Sequence, residues 1–166
     1  MVEHFFSPEE HKVREILAEV KDPEIPVLTV EDMGIIRSVE VSGQRVTVTI
    51  TPTYSGCPAM DEIAADIRKA LENAGYQADV KSVLSPPWSS LWISEAGRRK
   101  MEQYGIAAPL EAVADKRALT GEAKVVKCTH CGSMNTRLIS PFGSTACKAL
   151  FQCNDCLEPF DYFKCI

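Results

Sequence analysis

The chain has 166 residues, a formal net charge of −5 at pH 7 and 45% hydrophobic residues, enough for a packed core rather than a disordered chain. The acidic balance, without a run of basic residues, argues against a nucleic-acid surface. No stretch approaches the roughly 20 apolar residues that cross a bilayer. The start Met1-Val2-Glu3-His4 does not resemble a signal peptide. We therefore predict a cytoplasmic protein without nucleic-acid or membrane partners.

The first predicted element is a helix that begins at Ser7-Pro8-Glu9-Glu10. Ser7 suits the N-cap, Pro8 suits the first helical position, and Glu10 completes a capping box. Apolar residues follow at helical spacing as far as Val20. The helix ends before Asp22-Pro23-Glu24-Ile25-Pro26, because each proline biases the residue before it toward extended backbone.

The middle of the chain alternates between strand and helix patterns. Period-two alternation and a short polar loop predict a β-hairpin, and apolar residues at helical spacing follow it. The predicted elements are strands Ile35–Val41 and Arg45–Thr51, a helix Pro58–Ala74, a strand Gln77–Leu84 and a helix Ser94–Tyr104. The order α-β-β-α-β-α predicts a small α+β domain over residues 1–105.

Residues 106–124 are rich in alanine and charge and are predicted to form a linker, while residues 125–166 contain short strands, turns and cysteines. Cys128-Thr-His-Cys131 and Cys153-Asn-Asp-Cys156 are two Cys-x-x-Cys knuckles with 21 residues between them. Each knuckle places two thiolates on one turn, where both can lie about 2.3 Å from one ion. This spacing predicts a zinc-ribbon β domain with a structural, tetrahedral zinc site. Two disulfides are the alternative.

The segment from Thr51 to Pro58 joins the second hairpin strand to the second helix. Pro58 fits the first helical turn, so Cys57 lies at or next to the N-cap, where free backbone amides and the helix dipole favour a thiolate. Gly56 permits close backbone approach, and the side chains that can support the thiol are Thr51, Thr53 and Glu24. Two interpretations stay open: a reactive or transfer thiol, or a small buried apolar residue.

Two further features are open in the same way. The rigid, aromatic loop from Pro86 to Trp92 either docks a partner or covers the core as a lid. Cys147 and Cys165 remain after the ribbon is assigned. They replace a ribbon ligand, form a second thiol site or contribute only to packing.

Several of these motifs resemble a known family. Asp22-Pro23-Glu24, Met33-Gly34-Ile35-Ile36, Ser55-Gly56-Cys57-Pro58 and Pro86-Pro87-Trp88 resemble the iron–sulfur cluster assembly (MIP18) family, whose motif cysteine matches Cys57. With the ribbon, Phe142-Gly143-Ser144-Thr145 and the segment from Glu158 to Cys165, the chain is similar to the PaaD (PaaJ) family. Members of that family are the D component of the bacterial 1,2-phenylacetyl-CoA epoxidase system.

The resemblance implies a role in aerobic phenylacetate degradation. In that system a di-iron oxygenase epoxidises the ring of phenylacetyl-CoA with electrons from a reductase that carries a flavin and an iron–sulfur cluster. This chain lacks the carboxylate and Glu-x-x-His pairs of a di-iron bundle and a Gly-rich dinucleotide loop, so we expect no catalysis by the chain itself. The resemblance implies an accessory protein that installs or repairs a metal centre in the oxygenase or reductase.

In that role Cys57 would ligate an iron or iron–sulfur species transiently, and the ribbon would hold the partner surface. One cysteine cannot hold a cluster that takes four thiolates, so cluster carriage needs a homodimer, a partner's ligands or the spare Cys147 and Cys165. Two other functions stay open. The chain is a non-catalytic structural subunit of the epoxidase complex, or its ribbon holds iron as a rubredoxin-like electron carrier.

Overall fold

The computed structural model describes residues 7–109 and 125–164. The chain divides into two compact units, Met1–Trp88 and Ser89–Ile166. Cys165 and the greater part of the predicted linker, residues 110–124, lie outside the described residues.

The first unit follows the predicted order of elements. It contains helix α1 (Pro8–Leu17), strands β1 (Ile36–Ser42) and β2 (Arg45–Ile50), helix α2 (Ala59–Asn73) and strand β3 (Gln77–Ser82). β1 and β2 form the predicted antiparallel hairpin, while β3 pairs with β2 in parallel. Parallel pairing requires a crossover, and α2 supplies it.

Both helices of the first unit contribute to its hydrophobic core. Along β2, buried Val46, Val48 and Ile50 alternate with half-buried threonines, so one face of the sheet is turned inward. The helical residues that complete the core are each no more than 1% exposed: Val13, Leu17, Ile63, Ile67 and Leu71. The Ser7 hydroxyl accepts the Glu10 N–H at 3.1 Å, as the capping pattern predicts.

The second unit combines one helix with the ribbon. After a 3₁₀ turn at Ser90–Trp92 come helix α3 (Glu95–Tyr104) and strands β4 (Ile106–Ala107), β5 (Thr136–Ser140), β6 (Lys148–Cys153) and β7 (Pro159–Phe163). The strands form one sheet in the order β4-β7-β6-β5. The Ser94 hydroxyl accepts the Gly97 N–H at 2.8 Å, and α3 ends at Gly105 with φ of +90°, which agrees with the predicted helix Ser94–Tyr104.

The division between the units differs from the predicted domain boundary at residue 105. α3 belongs to the second unit, and Ile106–Ala107, predicted as linker, pair in parallel with Asp161–Tyr162 of β7. The left-handed backbone at Gly105 ends the helix, and Ile106 and Ala107 then enter the sheet, where they are 2% and 5% exposed. Burial of these two side chains favours a strand over a linker.

The ribbon has a small core on one face of its sheet. Phe151 contacts Tyr162 edge-on, with ring centroids 5.6 Å apart. Around this pair lie Ala107, Val126, Ala149 and Phe160, together with two of the knuckle cysteines, Cys128 and Cys153. Within residues 7–109 and 125–164, no helix has the length and apolar character needed to span a bilayer.

Candidate metal centre and the Cys57 turn

The four knuckle cysteines converge on one point. Cys128 and Cys131 belong to a turn that precedes β5, while Cys153 is the last residue of β6 and Cys156 lies in the turn before β7. The Sγ atoms of Cys128 and Cys156 are 3.7 Å apart, those of Cys131 and Cys153 are 3.6 Å apart, and all four lie within 4.8 Å of one another.

These distances fit a tetrahedral metal site. Sulfurs placed 2.3 Å from a central ion are separated by about 3.8 Å along the edges of a tetrahedron. A disulfide would bring two sulfurs to about 2.05 Å, and every cysteine among the described residues is free. The geometry brings the four predicted ligands together and fits the predicted metal site. Four thiolates fill a tetrahedron and leave no position for a substrate, so the ion would be structural.

Backbone amides support the sulfurs. The His130 N–H donates to Cys128 Sγ at 3.4 Å, and the Cys156 N–H donates to Cys153 Sγ at 3.5 Å. The hydrogen bond from Cys156 lowers the pKa of the Cys153 thiol to about 7. A backbone hydrogen bond from Glu158 lowers the pKa of Cys156, but burial and the neighbouring thiols raise it to about 12. Cys153 therefore ionises more readily than an ordinary thiol and Cys156 less readily, and a bound cation would favour the thiolate form of both.

The Cys57 thiol lies just before the start of α2. The helix N-cap is Pro58, which makes no side-chain cap, and the Cys57 N–H donates to the Tyr54 carbonyl at 3.3 Å. Gly56 has φ of +86°, a conformation that favours glycine and closes the turn before the cysteine. The thiol is half-buried, so it remains accessible from one side.

The surroundings of Cys57 oppose a free thiolate. Burial raises the pKa of the Cys57 thiol, and the negative charges of Glu24 and Asp22 raise it further. The Ala59 N–H at the helix start and the Tyr54 side chain lower the pKa, but they do not outweigh burial. The helix start does favour the thiolate through the Ala59 N–H, as predicted, but desolvation and the two carboxylates act in the opposite direction and leave the pKa of the thiol raised.

The structure brings the acidic loop close enough to the thiol to act on it, as the prediction for Glu24 required. Asp22, which we did not predict as a site residue, contributes as well. The Asp22 carboxylate also accepts the Glu24 and Ile25 N–H groups at 2.7 and 2.9 Å and so fixes the loop. The sequence offered one signal for a role of Asp22, which is its position in the Asp22-Pro23-Glu24 motif.

The two predicted hydroxyls differ in their surroundings. Thr51 is 1% exposed and donates to the Val83 carbonyl at 2.7 Å, so its hydroxyl fixes the end of β2 against the chain after β3. Thr53 is half-buried on the same turn as Cys57. The Thr51 hydroxyl is therefore engaged with the backbone, and support of the thiol by Thr53 stays a prediction.

We expect the Glu24→Gln variant to alkylate faster at Cys57 than the wild-type protein at pH 7–8. Removal of the negative charge lowers the pKa of the thiol, so a larger fraction is thiolate below that pKa. The measurement is the rate of iodoacetamide labelling of the Cys57 peptide by mass spectrometry across pH 6–10. Glu72→Gln, at the opposite end of α2, is the control. Equal pH profiles for Glu24→Gln and wild type would show that Glu24 does not act on the thiol.

The structure also shows the surroundings of Trp88 and of Cys147. The Trp88 ring N–H donates to the Met33 carbonyl at 2.9 Å and the residue is half-buried, which favours the lid over a docking loop. Cys147 is 3% exposed, with its Sγ 3.0 Å from the Thr145 hydroxyl. Its burial favours packing.

Comparisons with known proteins assign each part of the chain. A family model described as "PaaD zinc beta ribbon domain" matches residues 112–164, and one described as "Iron-sulfur cluster assembly protein" matches residues 10–84. Over 160 residues the chain is 42% identical to a putative 1,2-phenylacetyl-CoA epoxidase component, the D component, of Escherichia coli (strain K12). That match covers 96% of this chain and 94% of the relative.

The first part also matches shorter proteins. Over 98 residues the chain is 42% identical to "Fe-S protein maturation auxiliary factor" of Porphyromonas gingivalis (strain ATCC BAA-308 / W83), a match that covers 57% of this chain and 91% of the relative. The crystal structure of a domain of unknown function, DUF59, from Bacillus anthracis superposes with a TM-score of 0.52 and 27% identity. It covers 55% of this chain and 90% of that one. These similarities confirm the predicted α+β domain and the ribbon.

Proposed function

Because the chain belongs to the PaaD family, the D component of 1,2-phenylacetyl-CoA epoxidase, we propose that it is an accessory protein of such an epoxidase system and assists the maturation of iron or iron–sulfur centres in the oxygenase and reductase partners. One observation carries this proposal: an assembly-type domain containing Cys57 and a four-cysteine ribbon occur in the same chain. The similarity of the first part to a maturation factor supports it.

The charges around Cys57 favour a cation over a nucleophilic thiolate. Glu24 and Asp22 hold the pKa of the thiol up by repelling its negative charge. The same two carboxylates attract a metal cation, which displaces the thiol proton when it binds. Transient ligation of an iron species therefore suits the site better than covalent attack on an organic substrate. An intact cluster would need additional thiolates, from a partner or from a second copy of the chain.

In this proposal the ribbon holds zinc and provides a surface for a partner subunit. The four-thiolate geometry and the match to a zinc ribbon model support zinc. We place the protein in the cytoplasm, where thiols stay reduced. The chain itself carries out no step of the epoxidation.

The test is to produce the oxygenase and reductase subunits with and without this chain and to measure the iron of each purified subunit. We expect the iron content of at least one subunit to fall several-fold when the chain is absent. If both subunits keep their full iron content while epoxidase activity still requires the chain in a stoichiometric complex, the chain is a structural subunit instead. Visible absorption tests whether the ribbon is instead an iron electron carrier, since ferric tetrathiolate sites are coloured and zinc sites are not.

A further inference from the structure

Four polar side chains connect the two knuckles outside the metal ligands. Ser133 and Asn135 follow the first knuckle, and Asn154 and Asp155 lie between Cys153 and Cys156 in the second knuckle. We call these four residues the knuckle clamp. They are neighbours of the ligand cysteines in the sequence and are not themselves among the four candidate ligands.

Four hydrogen bonds of the knuckle clamp run from one knuckle to the other. The Ser133 hydroxyl donates to Oδ2 of Asp155, and the Asn135 side-chain amide donates to Oδ1 at 2.7 Å. The Asn154 side-chain amide donates to Asn135 Oδ1 at 2.9 Å, and the Asn154 backbone N–H donates to the Asn135 carbonyl at 2.8 Å. Both oxygens of one carboxylate are therefore occupied by donors from the opposite knuckle.

The donors are oriented before they meet the carboxylate. The Asn135 backbone N–H donates to Ser133 Oγ at 3.0 Å, which leaves the Ser133 hydroxyl proton for Asp155. Hydrogen bonds to an ionised carboxylate are stronger than those between neutral groups. This arrangement resists separation of the two knuckles even though Asp155 is exposed to solvent.

The close sulfur pairs of the metal centre depend on the distance between the knuckles. Cys128–Cys156 at 3.7 Å and Cys131–Cys153 at 3.6 Å each join one knuckle to the other. We propose that the knuckle clamp, centred on Asp155, holds these cross-knuckle sulfur pairs at ligating distance and slows release of the metal ion. Asp155 is then a positioning residue for the ion, and the ribbon keeps its metal. This inference rests on the metal centre and not on the proposed maturation role.

The charge of Asp155 alone predicts the opposite effect. A divalent ion bound by four thiolates leaves two net negative charges, which a neighbouring carboxylate repels. Removal of the carboxylate would then tighten the binding of the ion. Loss of the Asp155 carboxylate should therefore weaken the hold on the ion if the knuckle clamp acts, and strengthen it if charge repulsion dominates.

The experiment uses the full chain loaded with one Zn²⁺ per chain and measures zinc release into an excess of a chromophoric chelator. We expect Asp155→Ala to release zinc about 10- to 100-fold faster than wild type, the usual loss when a group that orients metal ligands is removed. Asn154→Ala, which loses only the side-chain bond to Asn135, should give a smaller increase. Because the residues act as a unit, adding Asp155→Ala to Ser133→Ala should accelerate release less than the product of the single effects.

Glu158→Gln is the matched control, because it removes an exposed carboxylate two residues after Cys156 that belongs to no described hydrogen bond of the knuckle clamp. It should not accelerate release. Should Asp155→Ala purify without zinc, Ser133→Ala supplies the measurement, since it retains the carboxylate and its bond to Asn135. Release at the wild-type rate from Asp155→Ala or from this substitute variant, or equal acceleration by Glu158→Gln, would overturn the proposal.

Discussion

Replacing Cys128 with serine should reduce the metal content of the purified protein from about one ion per chain to nearly none and unfold the ribbon. Cys128 is 1% exposed and one of four sulfurs within 4.8 Å of one another. Binding of a structural zinc contributes about 10–16 kcal/mol of apparent free energy, as much as the whole stability of many domains. The small core around Phe151 and Tyr162 cannot replace that contribution.

Elemental analysis and amide NMR spectra would measure both effects. Signals from β5, β6 and β7 should collapse toward random-coil positions. Cys147→Ser is the matched control, since Cys147 is a buried ribbon cysteine outside the sulfur cluster. It should keep the full metal content. A folded ribbon in metal-free Cys128→Ser protein would contradict a metal-dependent fold.

Replacing Cys57 with serine should remove the effect of the chain on its partners while leaving the ribbon metal in place. Serine has nearly the same size, and Cys57 is only half-buried, so the first unit should remain folded. The oxygen of serine binds iron far less well than a thiolate, because its proton is lost only at very high pH. We expect the iron of the dependent subunit to fall several-fold, to the content found without the chain.

The measurement is iron per purified oxygenase and reductase after production with each variant. Ser55→Ala changes an exposed side chain on the same turn and should behave as wild type. Full iron content with Cys57→Ser would show that the thiol has no part in maturation and would favour the structural subunit.

The local parts of the fold were predictable because short-range chemistry determines them. Ser7 caps α1 through the Glu10 N–H, and Gly105 ends α3 with positive φ, as their positions in the sequence indicate. The metal centre was predictable for a related reason. A Cys-x-x-Cys turn orients its two sulfurs locally, and the only long-range requirement is that two such turns meet.

The other features depend on contacts between distant segments. β4 has two residues, too few for a periodic pattern, and it becomes a strand only because β7 lies beside it. The direction of the Cys57 pKa depends on how deeply the turn is buried and on where the Asp22–Glu24 loop lies, neither of which the turn's own residues reveal. In the sequence Asp155 is an ordinary residue between two cysteines, and only the structure shows that Ser133 and Asn135 lie next to it.

The pairing of Ile106–Ala107 with β7 has a consequence for how the ribbon can be isolated as a fragment. A polypeptide spanning only residues 125–166 would carry every sulfur ligand yet lack an outer strand of its sheet and the Ala107 methyl group of its core. The cysteine module therefore takes part of its sheet and of its core from residues that precede it. A fragment that keeps all four strands of this sheet must begin no later than Ile106.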